Sequence, residues 1–207
     1  AHTNAVKTVP YAGPAASSTV IECHIDGDFF LDGDDAGTRN LLHSMECALE
    51  QCAARCLSGS MVSERDVTAA VVNLEIGTGS GYLTACLAHL SREVVSLERH
   101  PDLADAARAR LSAQGIANAE VITADALAWT TDRSFDAICV TGAVDRIPAR
   151  FTDWLKPGGR LFVVRGRSPA MEAVLVHRDV NGLRTESLFE TDLPYLAGAA
   201  PAPAFAL

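Results

Sequence analysis

The stretch Leu74-Glu75-Ile76-Gly77-Thr78-Gly79-Ser80-Gly81-Tyr82 constrains this chain more than any other. Ala69, Ala70, Val71, Val72, Leu74 and Ile76 read as a buried strand, which opens into three glycines at alternate positions and then an apolar-periodic helix. A strand that turns through glycines into a helix brings bare backbone up to a nucleotide-like ligand in α/β proteins. The spacing narrows the ligand. A dinucleotide turn places its third glycine where Tyr82 stands, whereas here Gly81 comes one residue earlier. The loop therefore lacks the spacing that aims a helix N-terminus at a pyrophosphate. It suits an adenosine ligand without phosphates, and S-adenosylmethionine is the leading candidate.

Downstream, Arg92-Glu93-Val94-Val95-Ser96-Leu97-Glu98 reads as a second strand ending in a carboxylate. Glu98 lies 21 positions after Gly77, near the spacing of about 20 expected for an acid that accepts hydrogen bonds from both hydroxyls of a ribose. The competing account of Glu98 is a solvated strand end. A helix follows from Pro101 to Gln114, with Pro101 and Asp102 in its first turn and Gly115 just past its end. Further strands are expected over Ala119–Thr123, ending at Asp125, and over Phe135–Val140, ending at Thr141. Ile147–Leu155 reads as helix, Lys156-Pro157-Gly158-Gly159 as a sharp turn and Arg160–Arg165 as a fifth strand. Extended segments near Glu172–Arg178 and Arg184–Glu190 complete seven strands.

This alternation predicts an α/β fold: a doubly wound, mostly parallel seven-stranded sheet covered by helices. Ligands of such sheets sit at the carboxyl ends of the strands, where Gly77, Glu98, Asp125 and Thr141 all fall. Asp125 can accept a hydrogen bond from an adenine amine; the alternative is a cap for the residues after it. Asp136 starts its strand and reads as a turn residue.

The organisation expected is an irregular extension over residues 1–38, a main domain over 39–196 and a loose Ala/Pro-rich tail over 197–207. The extension holds a short strand near Thr19–Ile25 and an acidic segment from Asp26 to Asp35, in which Phe30 and Leu31 stand where a calcium loop needs an oxygen ligand and a glycine. Asn40–Leu57 is expected as a helix. No run approaches the roughly 18 apolar residues of a membrane span. Ala1–Pro14 is neither basic nor followed by an apolar stretch, so no signal peptide is expected. The net charge of −9, without Lys/Arg clusters, argues against nucleic acid. Of six cysteines, Cys86 and Cys139 fall in an expected helix and strand; Cys23, Cys47, Cys52 and Cys56 lack a second Cys/His pair at zinc spacing beyond a remote His43/Cys47 option. We expect reduced thiols, no metal and a cytoplasmic protein.

Taken in order, the glycine segment through Tyr82, Phe135-Asp136-Ala137-Ile138-Cys139-Val140-Thr141-Gly142-Ala143, Ile147-Pro148, Leu155-Lys156-Pro157-Gly158-Gly159-Arg160-Leu161 and the closing Ser187-Leu188-Phe189-Glu190 and Leu193-Pro194-Tyr195-Leu196 resemble the protein-L-isoaspartate O-methyltransferase family. The resemblance runs from about Val71 to Leu196. It implies a Rossmann-like methyltransferase fold and S-adenosylmethionine bound by Gly77, Thr78, Gly79 and Gly81, with Glu98 on the ribose and Asp125 near the adenine. Glu75, Tyr82, Arg99, Ala126 and Thr141 complete the expected set. One departure stands out: the family's Ser-Gln-Pro-like segment, whose serine lies at the substrate carboxylate, does not occur. Its place is taken by Ala36-Gly37-Thr38-Arg39-Asn40 or Leu42-His43-Ser44-Met45, and Ser58–Ala70 is longer than the family's connection.

The resemblance implies methyl transfer to a carboxylate, which is ionised at neutral pH with a pKa near 4 and needs no general base. His24, His43, His89, His100 and His177 form no base pairing, and Arg39 is a possible carboxylate partner. Three functions remain open from sequence: carboxyl methylation of isoaspartyl-like residues in proteins or peptides, methylation of another peptide or small-molecule acceptor, and a cofactor-binding module without activity.

Overall fold

The structure is a computed structural model that describes residues 71–202, together with the backbone of Thr8–Pro10 and Thr19–Ile21. The chain divides into two compact units, Ala1–Val67 and Thr68–Leu207. In the first, strand β1 (Thr8–Pro10) pairs antiparallel with β2 (Thr19–Ile21), with Val9 opposite Val20. The rest of the strand expected to Ile25, the acidic segment, the helix over 40–57, Cys23, Cys47, Cys52, Cys56, His43 and Arg39 lie outside the described residues.

The second unit carries a sheet built from β3 (Val72–Ile76), β4 (Glu93–Glu98), β5 (Ala119–Thr123), β6 (Phe135–Val144), β7 (Leu155–Arg167), β8 (Ala170–Asp179) and β9 (Gly182–Thr191). The seven strands run in the order β5-β4-β3-β6-β7-β8-β9. The first five are mutually parallel, and β8 runs antiparallel between β7 and β9. This is the mostly parallel, seven-stranded, Rossmann-like arrangement expected from the sequence. From β3 the chain moves outward to β4 and β5, then returns to β6 on the other side of β3. That reversal opens a crevice at the carboxyl ends of β3 and its neighbours.

Helix α1 (Tyr82–His89) connects β3 to β4, and α2 (Pro101–Ala113) connects β4 to β5. In α2 Pro101 stands in the first turn, and Gln114 and Gly115 close the last turn on the carbonyls of Arg110, Leu111 and Ser112. Asn118 Nδ2 donates to the Ala88 and Ser91 carbonyls, satisfying acceptors that the end of α1 leaves open. The central strands are buried along their length: Leu74, Val94, Phe135, Val140 and Leu161 have no exposed surface. Burial on both faces explains why β3 and β4 read as continuous apolar runs.

Three boundaries differ from expectation. Strand β6 does not stop at Val140: after a register shift its pairing with β7 resumes at Ala143 and Val144. The helix expected from Ile147 contracts to α3 (Ala149–Asp153), because Pro148 is extended (φ −61°, ψ 133°) and disfavours helix at the residue before it. The Lys156–Gly159 turn is a bulge inside β7, between the pairs Phe135/Leu155 and Ala137/Arg160. Asp136 acts beyond a turn. Its Oδ2 accepts the Val72 N–H at 2.8 Å and faces Lys156 Nζ at 2.8 Å, tying the start of β3 to β6 and β7. Among the described residues no helix is long and apolar enough to cross a membrane.

Candidate functional site

The site begins where β3 runs out of side chains. Gly77 has φ +98°, and its N–H donates to the Leu97 carbonyl at 2.8 Å, beside β4. A Cβ built there would lie 2.2 Å from Thr141 Oγ1, so only glycine fits. That hydroxyl lies 2.8 Å from the Gly77 carbonyl and 3.0 Å from the Ile76 carbonyl, joining the end of β6 to the turn. Gly79 has φ +52°, and a Cβ there would meet nothing within 4 Å. The first glycine is required by protein packing; the second leaves bare backbone beside open space.

Glu98 ends β4 and is 6% exposed. Its Oε2 accepts the Gly79 N–H at 2.9 Å and its Oε1 the His100 N–H at 3.0 Å. Each oxygen keeps a further lone-pair direction. The carboxylate is thus fixed by backbone donors yet able to accept two adjacent hydroxyls. Beyond β5, Asp125 Oδ1 accepts the Leu127 N–H at 2.9 Å, while its carbonyl accepts the Ala128 and Trp129 N–H groups. Asp125 therefore caps its own turn and also faces the crevice, where its Oδ2 lies 3.8 Å from Arg99 Nη1. Gly77, Glu98, Arg99, Asp125 and Ala126 line one open cleft. Leu196 and Ala197, from after β9, help to close it. They are held there by main-chain bonds: Ala143 N–H to the Pro194 carbonyl, Leu196 N–H to the Ala143 carbonyl, and Asp145 N–H to the Ala199 carbonyl, each at 2.9 Å.

Behind the cleft lies a second carboxylate. Glu75 has no exposed surface, and burial, the largest influence on it, pushes its pKa up from 4.5 to about 7. Hydrogen bonds from Ser96 and Thr84 pull it down, and the negative charge of Glu98 pushes it up. Ser96 Oγ and Thr84 Oγ1 both donate to Glu75 Oε2 at 2.5 Å, and Ser96 Oγ lies 2.5 Å from Thr78 Oγ1. Thr78 sits between the first two glycines, so the buried carboxylate is wired to the turn. Among the described residues Glu75 Oε1 has no hydrogen-bond partner.

Comparison with known proteins gives the same picture. The profile of the protein-L-isoaspartate(D-aspartate) O-methyltransferase family, PCMT, matches residues 49–190. The chain belongs to this family. A relative named protein-L-isoaspartate O-methyltransferase 1, from Syntrophobacter fumaroxidans, is 45% identical over 116 residues, covering 56% of this chain and 54% of the relative. A protein-L-isoaspartate O-methyltransferase from Nitrobacter winogradskyi is 42% identical over 130 residues, covering 61% of this chain and 60% of the relative. The chain thus spans about half to three-fifths of the length of these curated relatives. Among solved structures, a protein-L-isoaspartate O-methyltransferase aligns with a TM-score of 0.61 at 22% identity, covering 91% of this chain and 51% of that one. A Plasmodium falciparum structure described as a beta-aspartate methyltransferase in complex with S-adenosyl-L-homocysteine aligns at 0.56 and 18% identity, covering 79% and 91%. These two likenesses establish the fold.

Within this PCMT-family chain the residues expected at the site fall into three groups. Gly77, Glu98, Arg99, Asp125 and Ala126 meet at the cleft. Gly79 and Gly81 shape the turn, and Gly81, with φ +83°, caps α1 just before Tyr82, whose N–H lies 3.3 Å from Ser80 Oγ. Glu75 and Thr78 are buried behind the turn, and Thr141 braces it from below. Sequence reasoning missed Ser96 and Thr84, which hold Glu75, and the Leu196–Ala197 wall. The one signal for Ser96 was a lone hydroxyl inside an otherwise apolar strand core; for Leu196 it was the closing Leu-Pro-Tyr-Leu segment.

Proposed function

We propose that the chain is an S-adenosylmethionine-dependent methyltransferase acting on the carboxylate of isoaspartyl residues in proteins or peptides. The observation that carries this reading is the pairing of bare backbone at Gly79 with the preorganised Glu98 carboxylate in one cleft, in a chain of the PCMT family. The names of the relatives and the adenosyl ligand of the Plasmodium structure support it.

The residues fit such a donor. Glu98 accepts both ribose hydroxyls through lone pairs its backbone partners leave available. Asp125 receives the exocyclic amine of the adenine, with Ala126 and Leu196 offering apolar contact to the ring. Gly77 and Gly79 let the donor lie against the main chain, where a side chain would push it out into solvent. When bound, the donor supplies an electrophilic methyl group. The protein's part is alignment and exclusion of water, since the acceptor carboxylate arrives ionised. A general base is not required. Glu75, whose pKa burial raises to about 7, has no exposed surface and reaches no substrate. In this reading the acceptor is a protein or peptide, and the chain works in the cytoplasm with its cysteines reduced.

The test is methyl transfer from labelled S-adenosylmethionine to matched peptides containing isoaspartyl or aspartyl at one position. The reading predicts a base-labile methyl ester on the isoaspartyl peptide alone. The absence of the Ser-Gln-Pro segment favours a second reading, a different acceptor on the same donor site. That reading is selected if S-adenosylhomocysteine binds but the isoaspartyl peptide stays unmodified.

A further inference from the structure

Glu75 is a carboxyl group that the proposed transfer does not use, yet the chain invests three hydroxyls in connecting it to the glycine turn. Its Oε2 receives Ser96 and Thr84 at 2.5 Å each, and Ser96 in turn meets Thr78 at 2.5 Å. A hydroxyl carries one proton, so the direction of this chain depends on the state of the acid. With Glu75 ionised, Oε2 can only accept. Ser96 spends its proton on Oε2 and is left to accept from Thr78, which fixes every hydrogen from the carboxylate to the turn. With Glu75 protonated, the new proton has two places to go. On Oε1 it meets no acceptor among the described residues, where that buried oxygen has no partner. On Oε2 it must be donated to Ser96 or Thr84; donation to Ser96 reverses that hydroxyl and makes Thr78 an acceptor. Donation to Thr84 leaves Ser96 and Thr78 as they were, so it is the route through Ser96 that gives Thr78 a second hydrogen-bonding state at the turn between Gly77 and Gly79.

The surroundings make this group responsive to a cation. Ser96 and Glu98 face it from β4, and Thr84 faces it from α1; Cys139, its register partner on β6, lies opposite. The charge acting on it is the like charge of Glu98, and among the described residues no Lys, Arg or His forms an ion pair with it. Two carboxylates therefore share the end of β3 and β4 without a protein cation between them. A positively charged ligand entering at Glu98 stabilises both, and the proton on Glu75 is the one that can leave.

We propose that Glu75 is a positioning residue that sets the glycine turn through Ser96 and Thr78, and that binding of a cationic adenosyl donor drives it into the ionised form. The proposal rests on the donor reading above. The proton it releases goes to solvent, so donor affinity rises with pH through the titration and levels off once the free protein is already ionised. With a folded-state pKa of about 7, that rise falls in the physiological range. The neutral thioether S-adenosylhomocysteine lacks the sulfonium charge and draws the proton off less strongly, so the site distinguishes donor from spent product by charge.

The experiment is calorimetric titration of the full chain with S-adenosylmethionine and with S-adenosylhomocysteine at several pH values from 5.5 to 8, in wild type and Glu75→Gln. Comparing the two proteins cancels titration of the ligands' own amino groups. Wild type should lose donor affinity on acidification, by up to about tenfold per pH unit at the steepest point. The loss should be smaller for S-adenosylhomocysteine, and Glu75→Gln should remove the protein's share. Ser96→Ala is the second variant, for the case that Glu75→Gln does not fold. It keeps the acid but deletes a bond that lowers its pKa, so the midpoint of the donor's pH profile should move upward, which a merely structural serine would not do. Identical pH profiles in wild type and Glu75→Gln, or an unmoved midpoint in Ser96→Ala, overturn the proposal. If neither ligand binds wild type at any pH, the donor reading itself falls and takes this inference with it.

Discussion

The hydroxyl of Thr141 fills the space that a side chain at Gly77 would need. A Cβ on Gly77 would come within 2.2 Å of Thr141 Oγ1, and that oxygen is itself bonded to the Gly77 carbonyl at 2.8 Å. Gly77→Ala therefore meets both a steric clash and a backbone angle of φ +98° that L-residues avoid. The expected cost is about 1–3 kcal/mol of stability, with loss of S-adenosylhomocysteine binding. Adding Thr141→Ala removes the clash but not the angle, so the double variant should recover only part of the loss. Urea unfolding of the two single variants and the double variant checks this; strict additivity would show that the two residues are not coupled.

Burial of Glu75 makes stability depend on pH in a stated direction. Its folded-state pKa, about 7, lies above the ordinary value of 4.5. Between those values the folded chain holds a proton that the unfolded chain has released. This group's contribution is therefore fully present below about pH 4.5 and is lost as pH rises through 7, with an upper size of about 3 kcal/mol. Glu75→Gln should remove that slope, so the variant gains on wild type between pH 5 and pH 8. Urea unfolding at the two pH values measures it, and a constant difference between the proteins would contradict the assignment.

Arg99 and Asp125 should behave differently although they face one another. Their charges are 3.8 Å apart at half-exposed positions, a pair worth less than about 1 kcal/mol. Arg99→Ala should leave Tm almost unchanged. Asp125→Ala also loses the bond to the Leu127 N–H and should cost about 1 kcal/mol, together with a roughly tenfold loss of adenosyl-ligand affinity. Thermal melts and calorimetry on both variants separate the two. Equal effects on Tm would argue that the pair, not the turn, is what matters.

Leu196 lies over Gly142, where a Cβ would come 2.8 Å from its Cδ2 and 3.2 Å from its backbone nitrogen. Gly142→Ala should therefore push the Leu193–Ala199 segment off the end of β6 and weaken S-adenosylhomocysteine several-fold, while Leu196→Ala opens the same wall without moving the backbone. Calorimetry on both variants is the check. Undiminished affinity in both would remove this segment from the site.

What could be read from the sequence is what local pattern encodes. The β4 and β5 boundaries, the α2 caps and the positions of Gly77, Glu98 and Asp125 at strand ends follow from apolar runs that stop at charged or glycine residues. What could not be read depends on which strands become neighbours. Ser96 meets Glu75 because β4 pairs with β3 in one particular register, and nothing within either strand states that register. The Leu196–Ala197 wall returns to the cleft more than a hundred residues after Gly77, as a consequence of sheet order. Strand β7 starts earlier than the expected Arg160 for a local reason: Lys156-Pro157-Gly158-Gly159 has turn chemistry, and the sheet absorbs it as a bulge.

The cleft between Gly77, Glu98 and Asp125 is expected to hold an adenosyl donor. The most direct measurement is calorimetric titration of the full chain with S-adenosylhomocysteine, repeated with Glu98→Ala and Gly79→Val. Glu98→Ala removes the carboxylate proposed to accept the ribose hydroxyls, and Gly79→Val places a β-branched side chain in the open space beside the turn at φ +52°. Saturable binding at one site per chain is expected, weakened at least about tenfold by either substitution. Absence of saturable binding, or an affinity that neither substitution changes, would contradict it.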